Sequence, residues 1–321
     1  MDIVRQIMEA MYTINNYEVA IIGAGAAGCA AGIYAGRSGI KAVLFDEGMG
    51  GGLAATAPKI ENYPGFESIS GMELTQKFVE HAKKYVDFRV GEKVVDIKKN
   101  GKGFTISTTA DKKYSVKAVI LCTGATHKKL GVKGEMELSG KGVSYCATCD
   151  GFFFKGKKVV VVGGGNTALL DAIYLQQIGC KDVEIIHRRD VLRAEEALQK
   201  EAKEKGIVFT LNSVVKSING KEMVKSITIE NLADKREKEI RVDGIFIAVG
   251  EVPQNEIAKM LGVELDDQGY VVVDRWQRTN VKGVYAAGDI TGGVRQIVTA
   301  CAEGAIAALT SAEVLGKKYP Y

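Results

Sequence analysis

Apolar residues in this chain fall into short, nearly uninterrupted runs. Val19-Ala20-Ile21-Ile22, Lys41 to Phe45, Val119-Ile120-Leu121, Val159 to Val162, Val183 to Ile186, Gly244 to Val249 and Val284 to Ala287 all have strand length. Such runs, bounded by glycines or charged residues, read as buried strands. Two of them lead through glycines into longer segments that read as helices, one from about Ala27 to Ser38 and one ending near Ile178. Met1 to Ile14 shows a different rhythm, with Ile3, Val4, Ile7, Met8 and Met11 at helical spacing, and predicts a short amphipathic helix. Arg5 and Glu9 break the apolar stretch that a secretory signal needs. Val19 to Gly36 holds no charge, but its glycines and strand-then-helix order argue for a buried nucleotide-binding unit rather than a membrane span.

The strand–glycine–helix–strand unit occurs twice. In the first copy the strand runs into Gly23-x-Gly25-x-x-Gly28, and the second strand ends at Asp46, 23 residues after Gly23. The first glycine permits a tight turn, the second lets the backbone approach a pyrophosphate, and the third lets the helix pack closely. A carboxylate at Asp46 suits free ribose hydroxyls. In the second copy Gly163-Gly164-Gly165-Asn166-Thr167-Ala168 forms the turn, and the second strand ends at His187, 24 residues after Gly163. Tyr34 and Tyr174 each lie 11 residues past the first glycine of their copy. Where the first copy has an acid, the second has His187-Arg188-Arg189 followed by Arg193. Guanidinium groups pair with a ribose 2′-phosphate that an acid repels, so this copy predicts NADP(H). The plainer reading is a solvated basic turn.

Two closing strands match the two opening units: Val119 to Leu121, leading to Gly124, and Gly244 to Val249. A further strand ends at Gly288-Asp289, where Asp289 either serves the first site or caps the next helix. The chain therefore predicts an α/β fold of two Rossmann-like, three-layer nucleotide-binding domains, the second inserted into the first. The expected division is an N-terminal extension over 1–16, the first domain over 17–127 and 255–321, and the inserted NADPH domain over 128–254. The crossings fall near Thr126 to Leu130 and Glu251 to Glu256.

Composition changes this picture little. A length of 321 residues with 46% hydrophobic residues suits two cores, and 38 glycines against four prolines suit close backbone approaches. A formal charge of +4 without a basic block does not predict nucleic acid. Six cysteines make no disulfide scaffold at this length, so a reducing, cytoplasmic setting is expected.

The candidate chemistry lies at Cys146-Ala147-Thr148-Cys149-Asp150, ahead of Gly151 and Phe152 to Phe154. One thiol of such a pair attacks an outside disulfide and the other resolves the intermediate, with Asp150 able to carry a proton. Half a zinc site and two packed cysteines are the alternatives. Zinc needs a second ligand pair. Cys29, Cys122, Cys180 and Cys301 are scattered and read as small buried hydrophobes, and His81, His127 and His187 lack ligand spacing. No metal is expected.

Together, Gly23-Ala-Gly-Ala-Ala-Gly28, Glu61-Asn62-Tyr63-Pro64-Gly65, Cys146-Ala-Thr-Cys-Asp150, Gly163-Gly-Gly-Asn-Thr-Ala168, His187-Arg-Arg-x-x-x-Arg193, Gly288-Asp289 and Arg295-Gln296 resemble the low-molecular-weight thioredoxin reductases of bacteria and archaea. The resemblance runs from about Tyr17 to Leu315. It implies FAD at the first site, with Asp289 on the ribityl chain and Asn62, Arg295, Gln296 and Ile297 near the isoalloxazine. It also implies that Cys149 faces the flavin, that Cys146 exchanges with thioredoxin or a glutaredoxin-like protein, and that Asp150 moves the proton. A homodimer, and an inserted domain that rotates about its crossings, come with the same resemblance. The loop Gly50-Gly51-Gly52-Leu53 departs from the family's Gly-Gly-Gln or Gly-Gly-Arg, which removes a side chain expected against the flavin. A reductase fed by ferredoxin or a deazaflavin, a dithiol oxidase and a non-enzymatic flavin module remain as rival readings.

Overall fold

The computed structural model describes residues 13–14, 17–57, 60–101 and 103–318. The chain divides into two compact units, one of residues 1–126 and 252–321, the other of residues 127–251. The two crossings form a two-stranded sheet of Ala125–His127 and Glu251–Pro253.

In the first unit a parallel sheet runs in the order Val284–Ala286, Ala118–Leu121, Val19–Ile22, Ala42–Asp46, Asp87–Val90. Alternate strand residues enter two different cores, which is why these runs lack polar positions. Val19, Ile21, Leu44 and Ile120 meet residues of the helices Ala26–Arg37 and Ile297–Ser311. Ala20, Ile22, Val43, Phe45 and Leu121 meet Ile97, Phe104, Ile106, Tyr114 and Val116 of an antiparallel meander. The result is three layers.

The second unit repeats the plan. Its parallel sheet runs Val143–Ser144, Gly244–Ile247, Lys158–Val162, Asp182–Ile186, Val208–Thr210. Val159, Val161 and Ile185 face Leu169, Ala172 and Ala202 on helices, whereas Val160, Val162 and Ile186 face Val215, Ile227 and Ile240 of a second antiparallel sheet. Both sheets share the doubly wound order outward from the first strand of the glycine turn. They differ in the origin of the outermost strand. In the first unit it comes late in the chain, and in the second it is Val143–Ser144, immediately before the dithiol.

The helix expected over Met1 to Ile14 lies outside the described residues except at its end, where it requires correction. Thr13–Ile14 is a strand, paired in parallel with Lys113 and Tyr114. Two β-branched residues beside an open sheet edge favour pairing over helix.

Ile297–Leu315 is long and apolar enough to cross a membrane by length and composition. Here it packs on the glycine-turn helix: a Cβ at Gly304 would lie 2.0 Å from the Ala27 carbonyl oxygen. Its alanines and this glycine are apolar because two helices meet there at close range.

Candidate active site

The two glycine turns are built by the same backbone contacts. Gly23 N–H donates to the Phe45 carbonyl (2.8 Å), and Gly163 N–H to that of Ile186 (3.1 Å). Cys122 N–H donates to Ile22 and Ala248 N–H to Val162, each at 2.8 Å. A Cβ on Gly23 would stand 2.2 Å from the Cys122 carbonyl oxygen, and one on Gly163 2.5 Å from that of Ala248. Asp46 and His187 are therefore structural equivalents, each the residue after the carbonyl that anchors its turn.

Asp46 holds the first turn from within. Its Oδ2 accepts from Ala24 N–H (2.8 Å), and its Oδ1 from Gly48 (2.8 Å) and Gly50 (3.3 Å). Gly50, Gly51 and Gly52 all have positive φ (85°, 102° and 59°), a run only glycine adopts readily. Gly51 N–H reaches the Ala24 carbonyl (2.8 Å), and a Cβ on Gly52 would lie 3.2 Å from Gly25 Cα. The all-glycine loop thus closes directly over the turn. Gly28 seats the helix against Gly23, whose carbonyl oxygen a Cβ at 28 would meet at 1.8 Å.

The remaining first-site residues converge in the same unit. Asn62 Nδ2 donates to Gln296 Oε1 (3.1 Å) across 234 residues of chain, and Gln296 caps the helix that begins at Ile297. Arg295, at φ 52°, reaches the Tyr270 hydroxyl (3.4 Å). Asp289 opens a short 3-10 turn rather than capping that helix. Gly124 is left-handed, and its carbonyl accepts from Gln254 N–H (2.9 Å).

Several contributors escaped the sequence reading. Glu303 Oε2 accepts from Gly288 N–H (2.7 Å) and fixes the turn that carries Asp289. Burial, helped by the charge of Asp289, pushes the Glu303 carboxyl up. A lone acid in an alanine-rich helix was the available signal. Cys301 is only half-buried and is hydrogen-bonded with Tyr63, whose phenol burial pushes up to about 12. The expectation of a purely hydrophobic role therefore holds for the buried Cys29, Cys122 and Cys180 but needs correction at Cys301.

At the second turn the residue equivalent to Asp46 is buried. The His187 ring lies flat on Gly164, where a Cβ would sit 2.2 Å from Nδ1, and its buried Nε2 has no hydrogen-bond partner. Burial, reinforced by Arg193, Arg189 and Arg188, holds the imidazole below its ordinary range. His187 supplies shape, and the charge comes from the exposed Arg188, Arg189 and Arg193. The loop bearing them folds back on the turn, with Arg193 N–H on the Gly164 carbonyl (2.7 Å) and Asn166 paired to Glu195 (2.8 and 2.9 Å). Thr167 and Ala168 open the helix, and a Cβ on Gly163 would meet the Ala168 methyl at 2.6 Å.

Both turns fit a dinucleotide. The helices after Gly25 and Gly165 have neither a side-chain cap nor an acidic residue in the first turn, whereas Ser70 caps its own helix through Glu73 N–H. Space beside Gly165 is open to at least 4 Å. Bare N–H groups at a helix N-terminus, with room in front, suit a pyrophosphate.

Cys146 and Cys149 are joined in a disulfide with Cα atoms 5.3 Å apart. Cys146 caps the short helix Ala147–Asp150, its Sγ accepting from Cys149 N–H (3.2 Å). The pair follows the edge strand Val143–Ser144, at the carboxyl end of the same sheet as the second glycine turn. Asp150 accepts from the buried Ser144 hydroxyl (2.6 Å), and burial pushes its carboxyl up despite that bond. Tyr145, just before the dithiol, stacks on His127 (5.0 Å) and donates to Glu135 (2.8 Å).

Two Rossmann-type domains, one carrying a disulfide beside a buried carboxyl, define a nucleotide-linked disulfide oxidoreductase. The chain belongs to the pyridine nucleotide-disulphide oxidoreductase family, whose family model matches residues 17–304. It is 44% identical over 300 residues to the thioredoxin reductase of Bacillus subtilis (strain 168), covering 91% of this chain and 92% of that one. The crystal structure of thioredoxin reductase from Streptococcus pyogenes is similar at a TM-score of 0.88 and 39% identity, covering 95% of this chain and 99% of that one. That of T. acidophilum thioredoxin reductase is 46% identical, covering 94% of this chain and 99% of that one, at a TM-score of 0.63. The cofactors of this oxidoreductase are FAD and NADP(H).

Proposed function

We propose that this chain is an NADPH-dependent thioredoxin reductase, with FAD held by residues 17–127 and 255–321 and NADPH by residues 128–254. The observation that carries the reading is the Cys146–Cys149 disulfide beside a buried Asp150, on the unit whose nucleotide turn ends in arginines. Gly23, Gly25, Gly28, Asp46, Gly51 and Gly52 cradle the pyrophosphate and ribose of FAD. Gly124, Gly288, Asp289, Asn62, Arg295, Gln296 and Ile297 hold its ribityl and ring portions. Gly163, Gly165, Asn166, Thr167 and Ala168 seat the NADPH pyrophosphate. Arg188, Arg189 and Arg193 take its 2′-phosphate, with His187 beneath them.

When bound, FAD relays two electrons from NADPH to the disulfide. The chain's own residues do the rest. The Cys146 thiolate attacks one sulfur of the partner's disulfide, forming a mixed disulfide and releasing the first partner thiolate. Cys149 then attacks Cys146 Sγ, which restores the ring and releases the second. Two electrons leave the enzyme dithiol, and its two protons end on the partner's two thiols. Asp150, kept neutral more easily than an exposed carboxylate, carries a proton between them. A homodimer in the cytoplasm completes the proposal, and the four unpaired thiols suit a reducing setting.

The test is an anaerobic titration of the holoenzyme with NADH and then NADPH, followed by flavin absorbance, with thioredoxin added last. NADPH should bleach the flavin and thioredoxin restore it. Bleaching by ferredoxin but not by NADPH would overturn the reading. Sedimentation reads the dimer separately.

A further inference from the structure

Asp150 must be stable in a buried place both with and without its proton, and one neighbour is arranged for both states. Ser144, 4% exposed, is the last residue of the edge strand. Its Oγ lies 2.6 Å from Asp150 Oδ2, accepts from Cys146 N–H at 3.1 Å, and stands 3.3 Å from the Cys146 carbonyl oxygen. We infer that Ser144 is a positioning residue for proton transfer, donating to Asp150 when it is ionised and accepting from it when it is protonated. The inference rests on the reading of Asp150 as the proton carrier.

A hydroxyl has one proton and two lone pairs. The Cys146 N–H fills one lone pair in either state. With Asp150 ionised, the hydroxyl proton points at Oδ2. With Asp150 protonated, the acid O–H enters the second lone pair, and the serine proton turns to the Cys146 carbonyl. Neither state leaves a buried polar group unpaired, so the proton can come and go without the penalty of about 1–3 kcal/mol that an orphaned group incurs. The backbone atoms on which Ser144 turns belong to the thiol that exchanges with the partner, so the proton switch and the nucleophile share one mount.

The groups that bear on Asp150 are few. Burial raises its carboxyl and the Ser144 bond opposes that rise. Tyr174, Leu175 and Ile178 pack on the adjacent Gly151, the Tyr174 phenol being the ionisable group among them. Once the disulfide is reduced, the Cys146 and Cys149 thiols join this set.

The experiment is an infrared titration of the Asp150 carboxyl in the oxidised holoenzyme, its band assigned by loss in Asp150→Asn. Ser144→Ala should raise the proton affinity of Asp150 about tenfold, because the charged form loses a donor. Ser144→Gly should do the same, and Ser144→Thr, which keeps the hydroxyl, should titrate as the native protein does. In turnover the pH profile of Ser144→Ala should move the same way, with kcat lowered and KM for thioredoxin unchanged. A titration that stays put or moves to lower pH in both hydroxyl-less variants overturns the inference. So does Ser144→Thr shifting as far as alanine. The infrared readout needs no partner, so a native enzyme that fails to reduce thioredoxin sinks the functional reading alone.

Discussion

The two nucleotide turns share one backbone and differ in the side chain at one equivalent place. In the first unit Asp46 turns inward and ties Ala24, Gly48 and Gly50 together through their N–H groups. In the second, His187 turns inward as an uncharged ring on Gly164, and its neighbours Arg188, Arg189 and Arg193 are exposed. Charge in the first turn is therefore part of the fold, whereas in the second it is kept outside. An inward carboxylate can serve turn and ligand together, because it has about four acceptor sites and three are in use. Outward guanidinium groups meet their phosphate only when the coenzyme arrives.

The largest effect should come from the backbone both turns share. Gly23→Ala places a methyl 2.2 Å from a carbonyl oxygen at φ 101°. It should destabilise the first unit by about 3–5 kcal/mol, combining strain with overpacking. Gly163→Ala meets a similar oxygen at 2.5 Å without the left-handed φ and should cost less. Gly165→Ala, with open space around it, should leave stability nearly unchanged. Denaturant unfolding of the three holoenzymes checks the order, and equal losses would show that the contacts are not what fixes the turns.

The arginines come next. Arg188→Gln with Arg189→Gln removes charge-assisted bonds worth about 1.5–3 kcal/mol each. The kcat/KM for NADPH should fall by on the order of 10²-fold or more, mostly through KM, while that for NADH barely moves. Stopped-flow flavin bleaching measures both. A mutant that keeps its preference for NADPH would break the contrast between the two turns.

The sequence made these turns legible because their strands are buried on both faces and their glycines are sterically required. The equivalence of Asp46 and His187 followed from spacing alone. What it hid has physical reasons too. Val143–Ser144 is a two-residue edge strand with no apolar run, so the serine that serves Asp150 could not be seen. Gly164 looks like any middle glycine until an imidazole is found on it. Thr13–Ile14 continued a helical rhythm but had a sheet edge to join, and tertiary pairing outweighed periodicity.

A subtler change sharpens the inward role of Asp46. Asp46→Asn keeps the shape but replaces an accepting oxygen with an N–H that faces other N–H groups. The turn should lose about 1–2 kcal/mol, and FAD should leave roughly ten times more readily in an equilibrium dialysis. If FAD retention falls and the unfolding midpoint of the apoprotein does not, the carboxylate acts on the ligand and not on the turn.

His187 should give the smallest signal, a slope rather than a step. Its pKa is lowered in the folded chain, so the unfolded chain takes up the proton first as pH falls. The stability it contributes is complete above the ordinary histidine value of about 6.5 and drains away as pH drops through the lower folded value. That term belongs to the second unit only, since the equivalent place in the first is an acid. Hydrogen exchange across mildly acidic pH, read separately for the two units, should show protection falling in residues 127–251 first. His187→Gln should flatten that fall while lowering protection at neutral pH, because it gives up the ring packed on Gly164. If the slope survives the substitution, the buried imidazole is not its source, and the two turns differ in charge without differing in how they answer to pH.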